Sequence, residues 1–439
     1  MAGLLVGIVA ASIALMLLRP RGIAEVWWVA GGALLLVGLR LVSLRAAAHA
    51  IGKGWDVYLF LIGMMLLSAL AEREGVFDWV AARAVAGAGS NGILSPVRLF
   101  TLIYLAGVAV TALMSNDATA VVLTPAVLTA VRRARVRPLP YLYACAMIAN
   151  AASFALPISN PANLVVFRGR MPTLGHWLAS FGLATALSVT ATYIALRVIF
   201  RRELRDPALA TERQPARADT EGTAFAVMPE ARLSANGRLV VLGLVVMIAA
   251  LLAASARGMD LGLPTCGLAL VVTAIVSITS RRSPLGLLRR VSWKTLGLVA
   301  ALFVLVDAMV SVGALRVAVT ALERAERLPV ALGTLAVSFV IGLGNNAVNN
   351  LPLGLIAGTA AQSAHLHATM SAAVMLGIDL GSNLSVTGSL ATILWLIALR
   401  REGLAVSVRE FLRVGIWVMP AGLLAAVAGL LAMRLLGAL

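Results

Sequence analysis

The chain has 439 residues, of which 61% are hydrophobic and 13% charged, and its formal net charge is +17. This apolar fraction excludes a soluble globular domain, because a soluble fold needs more polar surface than the chain can supply. Its Lys and Arg residues form short clusters between apolar runs, as in membrane proteins, so the positive charge does not indicate nucleic acid. The sequence predicts an all-α polytopic membrane protein with about ten transmembrane helices.

The first half of the chain, residues 1–200, begins with three apolar runs and a short mixed helix. Residues 98–131 follow, an apolar stretch interrupted by Ser115-Asn116-Asp117. The stretch is too short for two crossings of about 20 residues each, and basic residues flank both of its ends. We therefore predict a re-entrant hairpin whose ends are cytoplasmic and whose polar tip lies at membrane depth.

Residues 140–167 form the next predicted crossing, and its centre reads Leu-Pro-Ile-Ser-Asn-Pro. The two prolines remove two backbone donors, so the helix should break there. Residues 201–238 are polar and rich in charge, which indicates a cytoplasmic linker. The linker separates the first membrane repeat from the rest of the chain.

The second half, residues 239–439, repeats the order of the first. It contains a predicted hairpin over residues 329–362, with Asn345 and Asn346 at its tip, and a predicted broken helix over residues 370–399. Each half therefore has one polar hairpin followed by one interrupted crossing, which is the pattern of a duplicated transporter.

Polar positions of the two halves also coincide. A single offset of 229 residues takes Asn150 to Asp379 (379 − 150) and Asn160 to Ser389 (389 − 160). Most Lys and Arg residues fall on one side of the membrane only if the second half is turned over relative to the first. We therefore predict an inverted repeat with two opposed re-entrant hairpins and with both termini outside.

Such a repeat brings the two tips and the two broken helices together near the centre of the membrane. Asp117 lies at one tip and Asp379 in the opposite half's broken helix, where an ionised Asp costs about 2.5–3.5 kcal/mol. We interpret both as proton-coupling groups, the alternative being that they only cap helix ends. Asp307 is a third acid in an apolar run, and it either relays protons or pairs with an Arg such as Arg316.

Four motifs resemble those of one transporter family. They are Ser115-Asn116-Asp117, Asn349-Asn350-Leu351-Pro352, Gly377-Ile378-Asp379-Leu380-Gly381 and Gly388-Ser389-Leu390-Ala391-Thr392. Together they resemble the arsenical pump membrane protein family, the ArsB-type arsenite permeases of the ion transporter superfamily. Many members follow the Asp-Leu-Gly sequence with Lys and Pro, where this chain has Ser382 and Asn383.

The resemblance implies a transporter in the cytoplasmic (inner) membrane of a bacterium or archaeon that exports arsenite and antimonite in exchange for protons. It also allows for a separate arsenical ATPase subunit. Trivalent arsenic is a small uncharged trihydroxide at neutral pH, which hydroxyl and amide groups can bind through hydrogen bonds. The candidate substrate-binding residues are Ser115, Asn116, Asn150, Asn345, Asn346, Thr387 and Ser389.

Two other transport functions stay open at this point. A sodium/proton antiporter of the same superfamily would use Asp117 and Asp379 directly. A dicarboxylate carrier usually has Ser-Asn-Thr at both tips, and two carboxylates would repel its anionic substrate. An enzyme would need a nucleophile–base pair or a metal-binding motif, and the sequence has neither. We therefore predict a secondary transporter without metal or cofactor, whose partners are its substrate, protons and the lipid bilayer.

Overall fold

The computed structural model describes residues 2–90, 93–169, 171–205 and 232–437, and most of these residues are helical. Eight of the described helices are long and apolar enough to cross a membrane, and shorter apolar helices accompany them. The described β-structure is one antiparallel pair, Gly89–Ser90 with Ile93–Leu94. The chain is therefore an all-α polytopic membrane protein, as the composition predicts.

The helices of the first half are α1 (Ala2–Leu18), α2 (Glu25–Gly38), α3 (Leu44–Gly52), α4 (Trp55–Arg73), α5 (Val76–Ala88), α6 (Pro96–Leu113), α7 (Thr124–Arg133), α8 (Leu139–Ala151), α9 (Pro161–Val166) and α10 (Leu174–Ile199). Those of the second half are α11 (Ala235–Ala256), α12 (Gly262–Ser280), α13 (Leu285–Leu288), α14 (Trp293–Ser311), α15 (Arg316–Glu326), α16 (Val330–Val348), α17 (Asn350–Ser363), α18 (Ala368–Gly381), α19 (Leu390–Arg401) and α20 (Val408–Leu435). Side chains cap several of these helices. Ser407 and Glu410, for example, form a capping box at the start of α20.

Each of the two predicted hairpin segments contains two helices that meet at polar residues. In the first, α6 leads into the polar triplet, and a π-helical stretch, Ala118–Leu123, continues into α7. In the second, α16 and α17 meet at Asn349, whose φ of 76° places it in a region that few residues other than Gly adopt. The sequence therefore located the first tip, whereas the predicted second tip, Asn345 and Asn346, lies in the last turn of α16, because this helix continues to Val348.

Both predicted breaks are also present. The turn Pro157–Ser159 separates α8 from α9, and the turn Val386–Gly388 separates α18 from α19. The first break follows from its two prolines, which cannot donate to the preceding turn. The second break has no proline, and polar side chains satisfy its backbone instead, as described below.

The predicted linker, residues 201–238, falls largely on residues 206–231, which lie outside the described residues. Its last part was wrong, because α11 already begins at Ala235. Ser234 accepts a hydrogen bond from the Gly237 amide and so starts this helix several residues before the apolar run.

Helices of the two halves pack against each other in reciprocal pairs. Helix α2 packs on α14, while α12, the repeat equivalent of α2, packs on α4, the equivalent of α14. The last helices of the halves, α10 and α20, also pack together. A Cβ added to Gly422 would meet Thr192, whereas one added to Gly429 would meet Ala184, so α10 and α20 run antiparallel. Equivalent helices that run in opposite directions are what an inverted repeat requires.

These pairings divide the helices into two bodies, each built from equivalent parts of both halves. The first body contains α1–α4 and α11–α14, and the second contains α6–α10 and α16–α20. Contacts between the bodies include those of α4 with α9 and of α14 with α17. Both hairpins and both broken helices therefore belong to the second body, with the first body beside them.

The inverted repeat predicts which loops face outward. Ser363 ends the second hairpin, Ser283 follows α12, and both side chains are exposed. In a chain whose Cys145 and Cys266 are replaced by Ala, Ser363→Cys should react with an impermeant maleimide added to intact cells. Ser283→Cys, the matched variant, should react only after permeabilisation, and the opposite labelling pattern would contradict the orientation.

Candidate functional site

A cavity of about 780 Å³ reaches the tip of the first hairpin. Ser115, Asp117 and Pro161 line it there, which brings the hairpin tip and the start of α9 to one surface. Leu61 and Met64 of α4 form part of the facing wall. The cavity therefore lies between the two bodies, and both bodies contribute polar and apolar residues to its lining.

Charged side chains gather at the mouth of this cavity. Arg290 pairs with Glu72 at 3.0 Å, and Arg132 pairs with Glu402 at 3.2 Å. All four side chains are exposed, so these ion pairs contribute little to stability. They lie on the face where most basic residues occur, which is the predicted cytoplasmic side. The cavity thus opens toward the predicted cytoplasm.

Charge in the cavity is separated by depth. The four cationic residues that line it stand at or next to helix ends on the mouth side, and they are Arg19, Arg290, Lys294 and Arg401. Asp117 lies at the hairpin tip, and it is partly exposed to the cavity. Within the described residues its carboxylate has no hydrogen-bond or ion-pair partner. The described deep end therefore carries one negative group and no positive one.

The two neighbours of Asp117 differ in how their side chains are used. Ser115 Oγ accepts a hydrogen bond from the Ala118 amide at 3.1 Å and so shapes the turn, while the residue still lines the cavity. Asn116 is 2% exposed, and its Oδ1 has no partner among the described residues. Both side chains retain hydrogen-bonding capacity at the tip.

Asp379 occupies a different environment from Asp117. It is 1% exposed, and Asn160 Nδ2 donates a hydrogen bond to its Oδ1 at 2.7 Å. Its second oxygen has no partner in the described part of the chain. Asp379 lines none of the cavities described here. Of the two predicted proton-coupling acids, one is thus open to the cytoplasmic cavity and the other is sealed.

The asparagines of the second tip hold the second break together. Asn345 Nδ2 donates to the Ile378 carbonyl and to Ser382 Oγ, each at 2.8 Å. Asn346 Nδ2 donates to the Gly381 carbonyl at 3.0 Å, so the tip is joined to α18 at several points. These amides supply the donors that the interrupted helix lacks.

Three predicted substrate-binding residues are buried in structural contacts. Asn150 donates to Asn383 Oδ1 at 3.0 Å, Ser389 Oγ caps α19 by accepting from the Ala391 amide, and Asn345 holds the second break. All three are at most 1% exposed, and none lines a described cavity. In this conformation the cavities do not give a substrate access to them.

Thr387 lies at the surface of a second cavity, of about 300 Å³, together with Asn349. Its hydroxyl donates to the backbone carbonyl of Asn346, which is itself half-buried. Arg19 and Glu25 line both this cavity and the larger one, so the two open on the same face. Each hairpin tip is therefore approached from the predicted cytoplasmic side.

Asp307 does not join the other two acids. Its carboxylate pairs with Lys53 at 2.5 Å, and both side chains are about one-third exposed, at 32% and 35%. The pair forms because α3 packs on α14. The predicted ion pair with an Arg such as Arg316 is thus replaced by one with Lys53, and the relay role stays a prediction. Nearby, the guanidinium of Arg168 lies over the Phe303 ring, 4.9 Å from its centroid. This cluster lies at the end of α14 away from the cavity mouth.

Sequence reasoning missed two asparagines as site residues. Asn160 bonds Asp379, and Asn163 Nδ2 lies within hydrogen-bond distance of the carbonyls of Ser153, Leu156 and Pro157 in the first break. A signal for Asn160 was present in the sequence. It directly precedes Pro161, and an Asn before a Pro is typical of a capped helix start.

The fold and the cavity define the class of protein. Two hairpins and two broken helices meet inside a helical membrane protein, beside a cavity that ends at an unpaired acid, and this arrangement is that of a membrane transporter. The sequence profile of the citrate transporter family (CitMHS) matches residues 13–379, and the chain belongs to this family.

Individual relatives agree with this assignment. The arsenical pump membrane protein of Escherichia coli is 25% identical over 439 residues, which cover 97% of each chain, and that of strain K12 is 26% identical over 436 residues, again 97% of each. An uncharacterized transporter of Mycobacterium tuberculosis is 27% identical over 383 residues, 84% of this chain and 83% of the relative. The predicted resemblance to the arsenical pump membrane proteins is confirmed.

A solved structure shows the same fold. The YdaH transporter of Alcanivorax borkumensis, whose crystal structure has an unusual topology, superposes with a TM-score of 0.57 over 90% of each chain at 16% identity. The two proteins therefore share a helical fold although few of their aligned residues are identical.

The close crossing of α16 and α18 next to the second break gives a stability prediction. A Cβ on Gly381 would lie 2.5 Å from Gly342 Cα, and backbone cannot yield as a flexible side chain can. Gly381→Ala should therefore destabilise the protein by about 1–3 kcal/mol, measured as a lower unfolding midpoint in detergent. The control is Gly344→Ala, whose Cβ would meet nothing closer than 3.9 Å. Equal midpoints for the two variants would contradict this packing.

Proposed function

We propose that the protein exports arsenite and antimonite, as neutral trihydroxides, from the cytoplasm of a bacterial or archaeal cell in exchange for protons. The observation that supports this most is the charge pattern of the cavity. Its described deep end offers Asp117 and no Lys or Arg, whereas the cations lie at the mouth. A neutral polyhydroxide needs hydrogen-bonding groups but no counter-ion, so it fits this end.

The same pattern disfavours an anionic substrate. Citrate carries several negative charges at neutral pH and would be repelled by an unpaired carboxylate at the hairpin tip. The name of the family therefore does not fix the substrate of this member. The relatives that carry the arsenical pump name extend over 97% of this chain, which supports a metalloid substrate.

Contacts to the substrate are expected at the tips. Ser115 and Asp117 line the larger cavity, the unpartnered Oδ1 of Asn116 lies beside them, and Thr387 lines the smaller cavity. Hydroxyl and carboxylate oxygens can accept hydrogen bonds from As–OH groups, and the serine and threonine hydroxyls can donate in return. Exchangeable hydrogen bonds suit a carrier that must release its substrate outside.

Coupling is assigned to the two intramembrane acids. Asp117 can exchange protons with the cytoplasmic cavity, while Asp379 is shielded from it in this conformation. Each proton that moves inward releases about 2.3 kcal/mol per 100 mV, which supports roughly a 50-fold concentration ratio of a neutral substrate. Export driven in this way requires no ATPase. An arsenical ATPase subunit, if bound on the cytoplasmic face, would add a second source of energy.

A sodium/proton antiporter is the second candidate function. It is favoured by the same unpaired Asp117, because a carboxylate open to the cavity could bind a metal cation as readily as a proton. The two functions differ in what must leave the cell, so transport assays separate them.

In cells stripped of their own arsenic exporters, expression of the protein should lower intracellular arsenite and antimonite. An uncoupler should abolish the effect, because it removes the proton gradient. The same cells should gain no tolerance to sodium or lithium at alkaline pH. Salt tolerance without any change in arsenite content would establish the antiporter function instead.

Loss of either acid should end coupled export. Asp117→Asn and Asp379→Asn preserve shape and hydrogen-bonding groups but cannot carry a proton, so arsenite uptake into everted vesicles should fall to the vector-only level. Asp78→Asn, at an exposed position of α5, is the matched control and should transport like the parent protein. If both membrane variants still conferred full resistance, the carboxylates would have only a capping role.

A further inference from the structure

Asn160, in the first half of the chain, contacts Asp379, the buried acid of the second half. It lies just before α9, is 2% exposed, and uses both ends of its amide. Its Oδ1 accepts a hydrogen bond from the Ala162 amide at 3.0 Å, and its Nδ2 donates to Asp379 Oδ1 at 2.7 Å. One side chain thus caps α9 and contacts the acid in α18.

These two contacts fix the orientation of the amide. The buried backbone N–H groups at the start of α9 have no partner within the helix and require an acceptor, so the amide oxygen must face them. The NH₂ group is then left pointing at Asp379, as a donor and not an acceptor. A carboxylate is the better acceptor for this donor, because a hydrogen bond to a charged group is stronger than one to a neutral group.

The repeat provides an internal comparison. Ser389 holds the equivalent position before α19, and its Oγ caps that helix by accepting from the Ala391 amide at 3.1 Å. In the described residues the equivalent of Asp379, Asn150, is bonded not by Ser389 but by Asn383. A serine is therefore sufficient for the cap, and the amide of Asn160 adds only the contact with Asp379.

Two polar side chains lie next to the carboxylate of Asp379. Of the side chains on the elements packed against α18, Asn160 and Ser153 face the carboxylate, and neither titrates. The Ser153 hydroxyl donates to the Asn150 carbonyl at 2.7 Å. No charged side chain of the described residues contacts Asp379, and its Oδ2 has no partner. Asn160 thus donates a short hydrogen bond to this acid from the other half of the chain, with Ser153 beside it.

We propose that Asn160 is a positioning residue of proton coupling, which favours the ionised form of Asp379 and ties the first broken helix to α18 while that form persists. This rests on the proposed function, because it assumes that Asp379 binds the transported proton. When the proton binds, the acceptor becomes neutral and the bond to Asn160 weakens. Proton binding at Asp379 thereby loosens the contact between α9 and α18. The charge of Asp379, in the second half of the chain, thus controls how firmly α9 of the first half is held to α18.

The variant that isolates this role is Asn160→Ser. It keeps a capping hydroxyl, as the equivalent Ser389 shows, and removes the donor to Asp379. Proton-driven arsenite uptake by everted vesicles is measured across a range of pH. The pH of half-maximal uptake should rise by about one unit, the effect expected from losing one hydrogen bond to a charged group. Asn160→Asp keeps the cap and replaces the donor by a second acid, so it should shift the profile in the same direction.

Asn163→Ser is the matched control, because it makes the same change one turn later, where the amide contacts backbone carbonyls and not Asp379. It should lower the unfolding midpoint without moving the pH profile. In an Asp379→Ala background, Asn160→Ser should cause no further loss of thermal stability, since the acceptor of the hydrogen bond is already absent. An unshifted profile for Asn160→Ser, or fully additive losses of stability in the double variant, would overturn the role of Asn160.

The stability measurements separate this inference from the transport function. If the parent protein moved no arsenite but the two stability losses were strongly non-additive, the contact of Asn160 with Asp379 would stand and the arsenite function would fail. If arsenite transport were present and the losses were additive with an unshifted pH profile, the function would stand and the positioning role would fail.

Discussion

The structure depends on one constraint, which is that interrupted helices inside a membrane must still satisfy their backbone hydrogen-bonding groups. Lipid offers no partners, so such groups must be satisfied by protein or by a water-filled cavity. This protein meets the constraint with asparagine side chains. Asn163 lies within reach of three carbonyls in the first break, and Asn345 donates to a carbonyl and a hydroxyl in the second. The breaks can therefore be rigid, and the polar groups around them stay available at depth.

The two repeats place their acids on different elements. The first half has an acid at its hairpin tip and an amide, Asn150, in its broken helix, whereas the second half has Asn346 at the tip and Asp379 in the helix. The consequence is visible in the environments of the two carboxylates. Asp117 borders a cavity, while Asp379 is enclosed and bonded to Asn160. A perfectly symmetric duplication would have given two equivalent acids, whereas this chain has two carboxylates in different environments.

Much of the architecture could be predicted from the sequence because its signals are local. Apolar runs, the prolines around residue 157 and the polar triplet at Ser115 each report on their own segment, and all were located correctly. The contacts between segments had no such signal. Asp307 pairs with Lys53 because two distant helices pack together, and nothing near either residue indicates this.

The same limit applied within the candidate site. The sequence shows that an asparagine lies within an apolar membrane segment. It does not show whether the amide of that asparagine faces a substrate or a backbone carbonyl. Asn345 and Asn150 were predicted to contact substrate, and the structure uses their side chains to hold the breaks. Asn160 was seen only as a position aligned with Ser389, because its contact with Asp379 joins two halves of the chain. A local sequence pattern does not distinguish residues that contact a distant segment from residues that bind a substrate.

In the proposed transport cycle, a neutral metalloid leaves as a proton enters through the same protein. Liposomes containing the purified protein, a trapped pH-sensitive dye and arsenite can be diluted into arsenite-free medium of the same pH, with protein-free liposomes as the control. The lumen should acidify as arsenite leaves, and replacing sodium by choline should not change the rate of acidification. Arsenite efflux without acidification, or acidification that required sodium and not arsenite, would contradict it.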